Sequence, residues 1–260
     1  MQCLGACLFI GGWGHDCHFN ATAASTMASL MVVASASLII PAALNLAFPA
    51  NHPPEAVLNS ILSLSRGTAI ILLILYLIYL HFQLKTHSEL FEEPHDDHHG
   101  EKHEEGILTP FVATITLFAI SILIAICAEH LVGSIDSVVE SLSINRTFIG
   151  LIVLPVVGNA AEYVSAMRAA AKGKMSLSLG VAVGSSMQIA LFVTPALVIL
   201  GWVLGHPMSL SFEPFGSIVF FLSVIVVEGL IADGDSNYLE GAMLVGTYLI
   251  IAVAFFVFPQ

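Results

Sequence analysis

Two short polar segments interrupt long apolar runs: Gly158-Asn159-Ala160-Ala161-Glu162 and Gly184-Ser185-Ser186-Met187-Gln188. A charged side chain within a bilayer costs about 2.5–3.5 kcal/mol on insertion scales, so Glu162 marks a functional position by default. Asn159 and Glu162 are three apart and fall on one face of a helix. Ser185 and Gln188 repeat that spacing on the next apolar run. Four oxygen-bearing side chains on two adjacent helices suit a hard cation. A carboxylate in apolar surroundings has two low-cost states, protonated or metal-bound, and alternation between them exchanges protons against a cation. The nearest basic residue, Arg168, lies six positions on and faces elsewhere. Pro155 and Gly158 allow a helix break that turns backbone carbonyls toward an ion. Ser186 reads equally as packing among Gly180 and Gly184, and Pro195 marks another kink.

The elements that carry these residues are membrane helices. Of the 260 residues, 57% are hydrophobic and 10% charged, against roughly 25% charged in a soluble domain. Mean hydropathy is +0.91. The composition therefore points to an all-α, polytopic membrane protein. Complete spans are expected at about 23–48, 57–84, 109–132, 144–170, 176–205, 215–231 and 238–258, which makes seven. Met1 to Trp13 is too short to span and lacks a basic n-region and a small-residue cleavage site. It reads as a helix stub, the tail of a helix whose beginning is absent. Cys3, Cys7 and Cys127 have no metal-like spacing and read as small buried hydrophobes.

Lys85 to Gly106, KTHSELFEEPHDDHHGEKHEEG, is the one long polar segment, with eight acids and five histidines. It reads as a solvated linker or as a loose cation buffer, and it lacks an EF-hand pattern. Ser88 to Glu93 can form a short acidic helix. The net charge of −12 argues against nucleic acid as a partner. Lys85, Lys102, Arg168, Lys172 and Lys174 fall on one side when spans are counted, and Arg146 falls on the other. The positive-inside rule then places the linker, the RAAAKGK turn and the loop before the first complete span in the cytosol; Asp233, Asp235 and Glu240 read as a cytosolic turn or as the lining of an acidic entry to the site. Arg66 snorkels or pairs with a buried acid, and Glu228 reads equally as that partner or as a second proton-handling group. Glu129 is expected to end a span.

GNAAEYVSAMRAAAKGKMSLSLGVAVGSSMQIALFVTP resembles the second α-repeat of the cation/proton exchangers, a branch of the Ca²⁺/cation antiporter superfamily. FNATAASTMASLM, ILSLSRGTAIILLILYLIYLHFQLKTHSELF and DGDSNYLEGAMLVGTYLIIAVAFFVFP are similar to other segments of that family, its fungal vacuolar members above all. The resemblance implies two inverted five-helix halves with an acidic helix between them. It divides the chain into residues 1–84 as the remainder of the first half, 85–106 as the linker, and 107–260 as the second half, with the repeat at about 150–203. It further implies Ca²⁺/H⁺ antiport at the vacuolar membrane, with no cofactor and no enzymatic activity. Asn159, Glu162, Ser185 and Gln188 would hold the cation, and Glu162 would couple it to protons. Glu89, Glu92, Glu93, Asp96 and Asp97 would bind regulatory Ca²⁺.

Two departures stand out. Tyr163 replaces the histidine that usually follows the motif's glutamate, and it does not titrate near neutrality. A second G-N-x-x-E occurs nowhere in the chain, and LGACLFIGG resembles only the end of the helix that would follow it. A site between inverted repeats needs both halves, so the chain is expected to be incomplete for transport alone. The alternative is a non-transporting subunit or regulator that pairs with a first-half polypeptide or senses Ca²⁺ through the linker. A channel-like cation path and a homo-oligomer are also open.

Overall fold

The computed structural model describes residues 1–49, 53–91, 109–142 and 145–258. The chain folds as an all-α membrane protein. Among the described residues six helices are long and apolar enough to cross a bilayer, or seven if Arg146–Gly158 and Ala160–Ala171 count as one broken span. Contacts divide the described residues into two units, Met1–Glu93 with Ala160–Ile251 and Pro94–Asn159 with Ala252–Gln260.

In the first unit, α1 (Gln2–Gly11) is followed by a two-residue strand β1 (Cys17–His18) and α2 (Ala21–Ala47). Asn20 caps α2 by accepting from the Ala23 amide at 3.0 Å, satisfying one of the amides a helix start leaves open. α3 (Pro54–His81) begins with a proline at its first position, where the missing N–H costs nothing, and continues through a π turn at Phe82–Thr86. α7 (Ala160–Ala171) and α8 (Met175–Gln188) form a tight hairpin. α8 runs through a second π turn, Ile189–Val193, into α9 (Thr194–Val203). α10 (Pro214–Ile231), strand β2 (Asp235–Ser236) and α11 (Tyr238–Val257) complete it.

Lipid offers little hydrophobic drive between helices, so close packing and satisfied polar groups hold such bundles together. α2 buries Ala23, Ala24, Ala28 and Ala34 and packs along α10. The buried serines Ser35, Ser37 and Ser65 return their hydroxyl hydrogens to carbonyls of their own helices at 2.6–2.9 Å. α1 is clamped on two sides. It packs on α7 and α8, and it meets α11 through backbone. A side chain at Gly5 would lie 2.9 Å from the Gly241 carbonyl oxygen, and one at Gly12 would lie 2.6 Å from the Tyr238 amide. The short N-terminal run is thus an integral wedge of the unit.

Ser65 also receives the Leu210 amide at 3.0 Å, beside a small core of Ala69, Val198 and Leu210. Arg66 sets its guanidinium 4.7 Å from the centre of the Trp202 ring. Of the two expectations for Arg66, pairing with a buried acid gives way to an aromatic face. Glu228 stands half-buried near the end of α10.

At one end of this unit, β1 and β2 pair antiparallel, Cys17 opposite Ser236 and His18 opposite Asp235. Gly11 abuts Met175 and Cys17. The loop before α2, the Ala171–Met175 turn and the α10–α11 turn therefore gather at the same end, as counting spans requires.

The second unit contains α4 (Pro110–Leu142), the short α5 (Arg146–Phe148), a π turn at Ile149–Val153, α6 (Leu154–Gly158) and the last residues of α11. Asn145 caps α5 through the Thr147 amide at 2.8 Å and donates to the Phe258 carbonyl at 2.7 Å. Phe148 meets Phe256 edge to face at 5.4 Å, and Arg146 pairs with Asp136. α4 continues to Leu142 instead of stopping near 132, so Glu129 lies inside a helix and does not end one. Alanine, leucine and isoleucine around Glu129 sustain the helix through it.

Candidate cation site

The structure breaks the helix at the motif. Asn159 caps α6 with φ −99° and ψ 20°, its amide bonded to the Pro155 carbonyl at 3.0 Å. Glu162 then sits in the first turn of α7, where the aligned peptide dipoles favour a negative charge. The expectation that Asn159 and Glu162 share one face of a continuous helix is therefore corrected. Asn159 terminates one helix and Glu162 opens the next. The break falls at Asn159, directly after Gly158, whereas Pro155 acts on the turn before it, since it lacks a donor and its ring crowds the carbonyl four residues earlier. The π turn at Ile149–Val153 absorbs that crowding.

The second segment behaves similarly. Ser185 and Gln188 both lie on α8, with Gln188 its last residue. The π turn at Ile189–Val193 then leads into Pro195. π turns of this kind recur at functional sites. Ser186 returns its hydroxyl hydrogen to the Ala182 carbonyl at 3.1 Å, which commits it to its own helix. Glu162 and Ser185 are half-buried, while Asn159 and Gln188 are exposed. Glu162 is thus less enclosed within this chain than its apolar window suggested.

The α7–α8 hairpin has a fixed register. Ser178 donates to the Ala166 carbonyl at 2.9 Å, and both residues are fully buried. Glu162 lies one turn from that contact along α7, about 6 Å at 1.5 Å per residue, and Ser185 about 10 Å along α8. In an antiparallel hairpin both displacements run the same way, so Glu162 and Ser185 arrive toward the same end. Ser178 was missed by the sequence reading; a serine among small residues carries no signal that separates a tether from filler. Around Tyr163, the electrostatic neighbours are Tyr248 of α11, Cys3 of α1 and Glu162.

Among the described residues no three His, Cys, Asp or Glu side chains converge on a common point. On the α7–α8 hairpin itself the structure offers the Glu162 carboxylate and the Ser185 hydroxyl, oxygen groups of the kind a hard divalent cation takes. Of the residues expected to bind regulatory Ca²⁺, Glu89 lies in a 3₁₀ turn, Ser88–Leu90. Glu92, Glu93, Asp96 and Asp97 lie outside the described residues.

A family model described as sodium/calcium exchanger protein matches residues 112–257. The chain is 44% identical over 243 residues to the vacuolar calcium ion transporter of Schizosaccharomyces pombe, covering 93% of this chain and 58% of that protein. It is 40% identical over 268 residues to a Ca²⁺/H⁺ antiporter of Aphanothece halophytica, covering 98% of this chain and 70% of that protein. Native YfkE, whose selenium-substituted form is described as a Ca²⁺/H⁺ antiporter, superposes with a TM-score of 0.76 at 33% identity, over 98% of this chain and 70% of its own. The chain thus spans a little over half the length of the fungal relative.

Proposed function

Because the chain belongs to the sodium/calcium exchanger family, we propose that it supplies the second repeat of a Ca²⁺/H⁺ antiporter, with Glu162 alternating between protonated and cation-bound states. Asn159, Ser185 and Gln188 contribute neutral oxygens. Ca²⁺ takes six to eight oxygen ligands at 2.3–2.6 Å, more than these four side chains provide. Carbonyls freed at the helix break and an opposing repeat make up the remainder. A single carboxylate binds one proton or shares one divalent ion, so the two cargoes compete and each displaces the other. The membrane is that of the vacuole, and the acidic linker faces the cytosol, where Glu89, Glu92, Glu93, Asp96 and Asp97 bind regulatory Ca²⁺.

The observation that carries this reading is the start of α7 at the break, which places Glu162 on a hairpin whose other arm brings Ser185 to the same end. The test is proton-gradient-driven ⁴⁵Ca²⁺ uptake into vesicles, using this chain with and without a polypeptide carrying another G-N-x-x-E repeat. Uptake is expected from the pair, lost with Glu162→Gln and absent from the chain alone. Uptake by the pair that survives Glu162→Gln would remove that residue from the mechanism, and flux indifferent to the pH gradient would favour a channel.

A further inference from the structure

Outside the proposed cation site, one titratable pair joins two segments distant in sequence. His18 on β1 and Asp235 on β2 stand opposite each other in the antiparallel register, and the His18 Nδ1 contacts the Asp235 carboxylate. The backbone supports them: the Phe19 amide donates to the Gly234 carbonyl at 2.9 Å, and the Asp235 amide to the Asp233 carboxylate at 3.3 Å. Gly234 holds φ +84° against Ala21 and Phe19, where an added side chain would meet the Ala21 methyl at 2.7 Å. Beside the pair, Ser236 is buried and donates to Glu240 at 2.7 Å. Cys17 turns inward beside Gly11.

These contacts link elements that otherwise meet only within the bundle. β1 leads directly into α2, and β2 connects α10 to α11. α10 packs on α2, whereas α11 backs α1, which in turn packs on the helix bearing Glu162. The pair therefore fastens the α10–α11 turn to the start of α2.

We propose that His18 and Asp235 form a proton-operated clasp, closed when the solution at this end of the bundle is acidic and released when it is alkaline. The charges around His18 favour the closed form. Its own loop carries Asp16 and His15, the facing turn carries Asp233 and Asp235, and Glu240 opens α11. Lys174 precedes α8, and α2 and α8 themselves carry no charged residue. The hydrogen bond to Asp235, then its charge and that of Asp16, raise the His18 pKa above the ordinary 6.5. A raised histidine pKa contributes stability that is fully present below the unfolded value and lost as pH rises through the folded one. The loop before α2 lies on the side that counting spans assigns to the cytosol, so the clasp registers proton activity there by a group other than Glu162.

Exposed ion pairs contribute little to global stability, so the readout is local. Hydrogen–deuterium exchange of the detergent-solubilised chain is measured across 17–19 and 234–236, as protection factors corrected for intrinsic rate. Protection is expected to fall about twofold to fivefold, the range of exposed pairs, between pH 6 and pH 8.5. His18→Lys, which keeps its charge throughout, should stay protected across that range, and His18→Gln should be flat and low. Constant protection in the unmodified chain, or an unchanged profile in His18→Gln, would overturn the clasp. No transport is measured, so the outcome is separate from that of the antiport reading.

Discussion

The Ser178 hydroxyl donates to the Ala166 carbonyl at 2.9 Å, a side-chain bond that ties α8 to α7 at a point where both residues are fully buried. The two helices bearing Glu162 and Ser185 are thereby held in one register.

Ser178→Ala removes that tether without adding volume. Interhelical hydrogen bonds in membranes average about 0.6 kcal/mol and reach about 1.7, so a modest fall in the unfolding midpoint in detergent is expected. Ser178→Leu should cost more, because extra methylenes in a closed interface displace the helices. Equal stability of all three proteins would show that the bond sets no register.

The α1–α11 contact gives a sharper contrast. Gly241 faces the Gly5 carbonyl at a distance that would be 2.7 Å from an added methyl, whereas Gly246 on the same helix has nothing within 4 Å. Gly241→Ala is expected to destabilise by about 1–3 kcal/mol, the usual cost of overpacking. Gly246→Ala should be neutral or stabilise by up to about 1 kcal/mol through helix propensity. Thermal unfolding of the two variants side by side measures the difference.

Tyr163 sits next to the proposed coupling carboxylate, with Tyr248 and Cys3 as neighbours. Tyr163→His introduces a group that titrates near pH 6.5. Cation binding, followed as Ca²⁺ displacement against pH in the paired preparation, should then show a second inflection between pH 5 and 8. A single inflection in both proteins would mean that this position does not communicate with Glu162.

Arg66 rests on Trp202 at 4.7 Å. Cation–π contacts are worth about 0.5–2 kcal/mol depending on exposure. Arg66→Gln and Trp202→Leu should therefore each destabilise, and the double variant should cost less than their sum. Additive losses in the double-mutant cycle would place the stabilising contact elsewhere.

Apolar run length made the membrane helices legible, and Pro155 with Gly158 made the break legible. What the break does to the motif was not. Spacing three apart on a helix means a shared face only while the helix is continuous, and Asn159 stands where it stops. The reach of α4 past 132 was hidden by Glu129, since hydropathy falls at a charge although helix propensity does not. α1 was too short to register as a span, and its place depends on backbone contacts at glycines, which composition does not report. β1 and β2 are two residues each, too few for any alternation to show. The residues of the proposed cation site were singled out by their chemistry and remain a proposal, and the tether at Ser178, a common residue in an apolar helix, was found only in three dimensions.

The π turns at Ile149–Val153 and Ile189–Val193 flank the motif, one shortly before Asn159 and the other directly after Gln188. Each takes an extra residue into the turn, so side chains beyond it are offset by about 100° from an uninterrupted helix. The angular phase of these helices is thus written in residue count. Deleting one residue within either turn would swing the flanking segments around their axis while leaving every apolar residue in an apolar run. Hydropathy is blind to such a change, and the cation site proposed on these two arms is not.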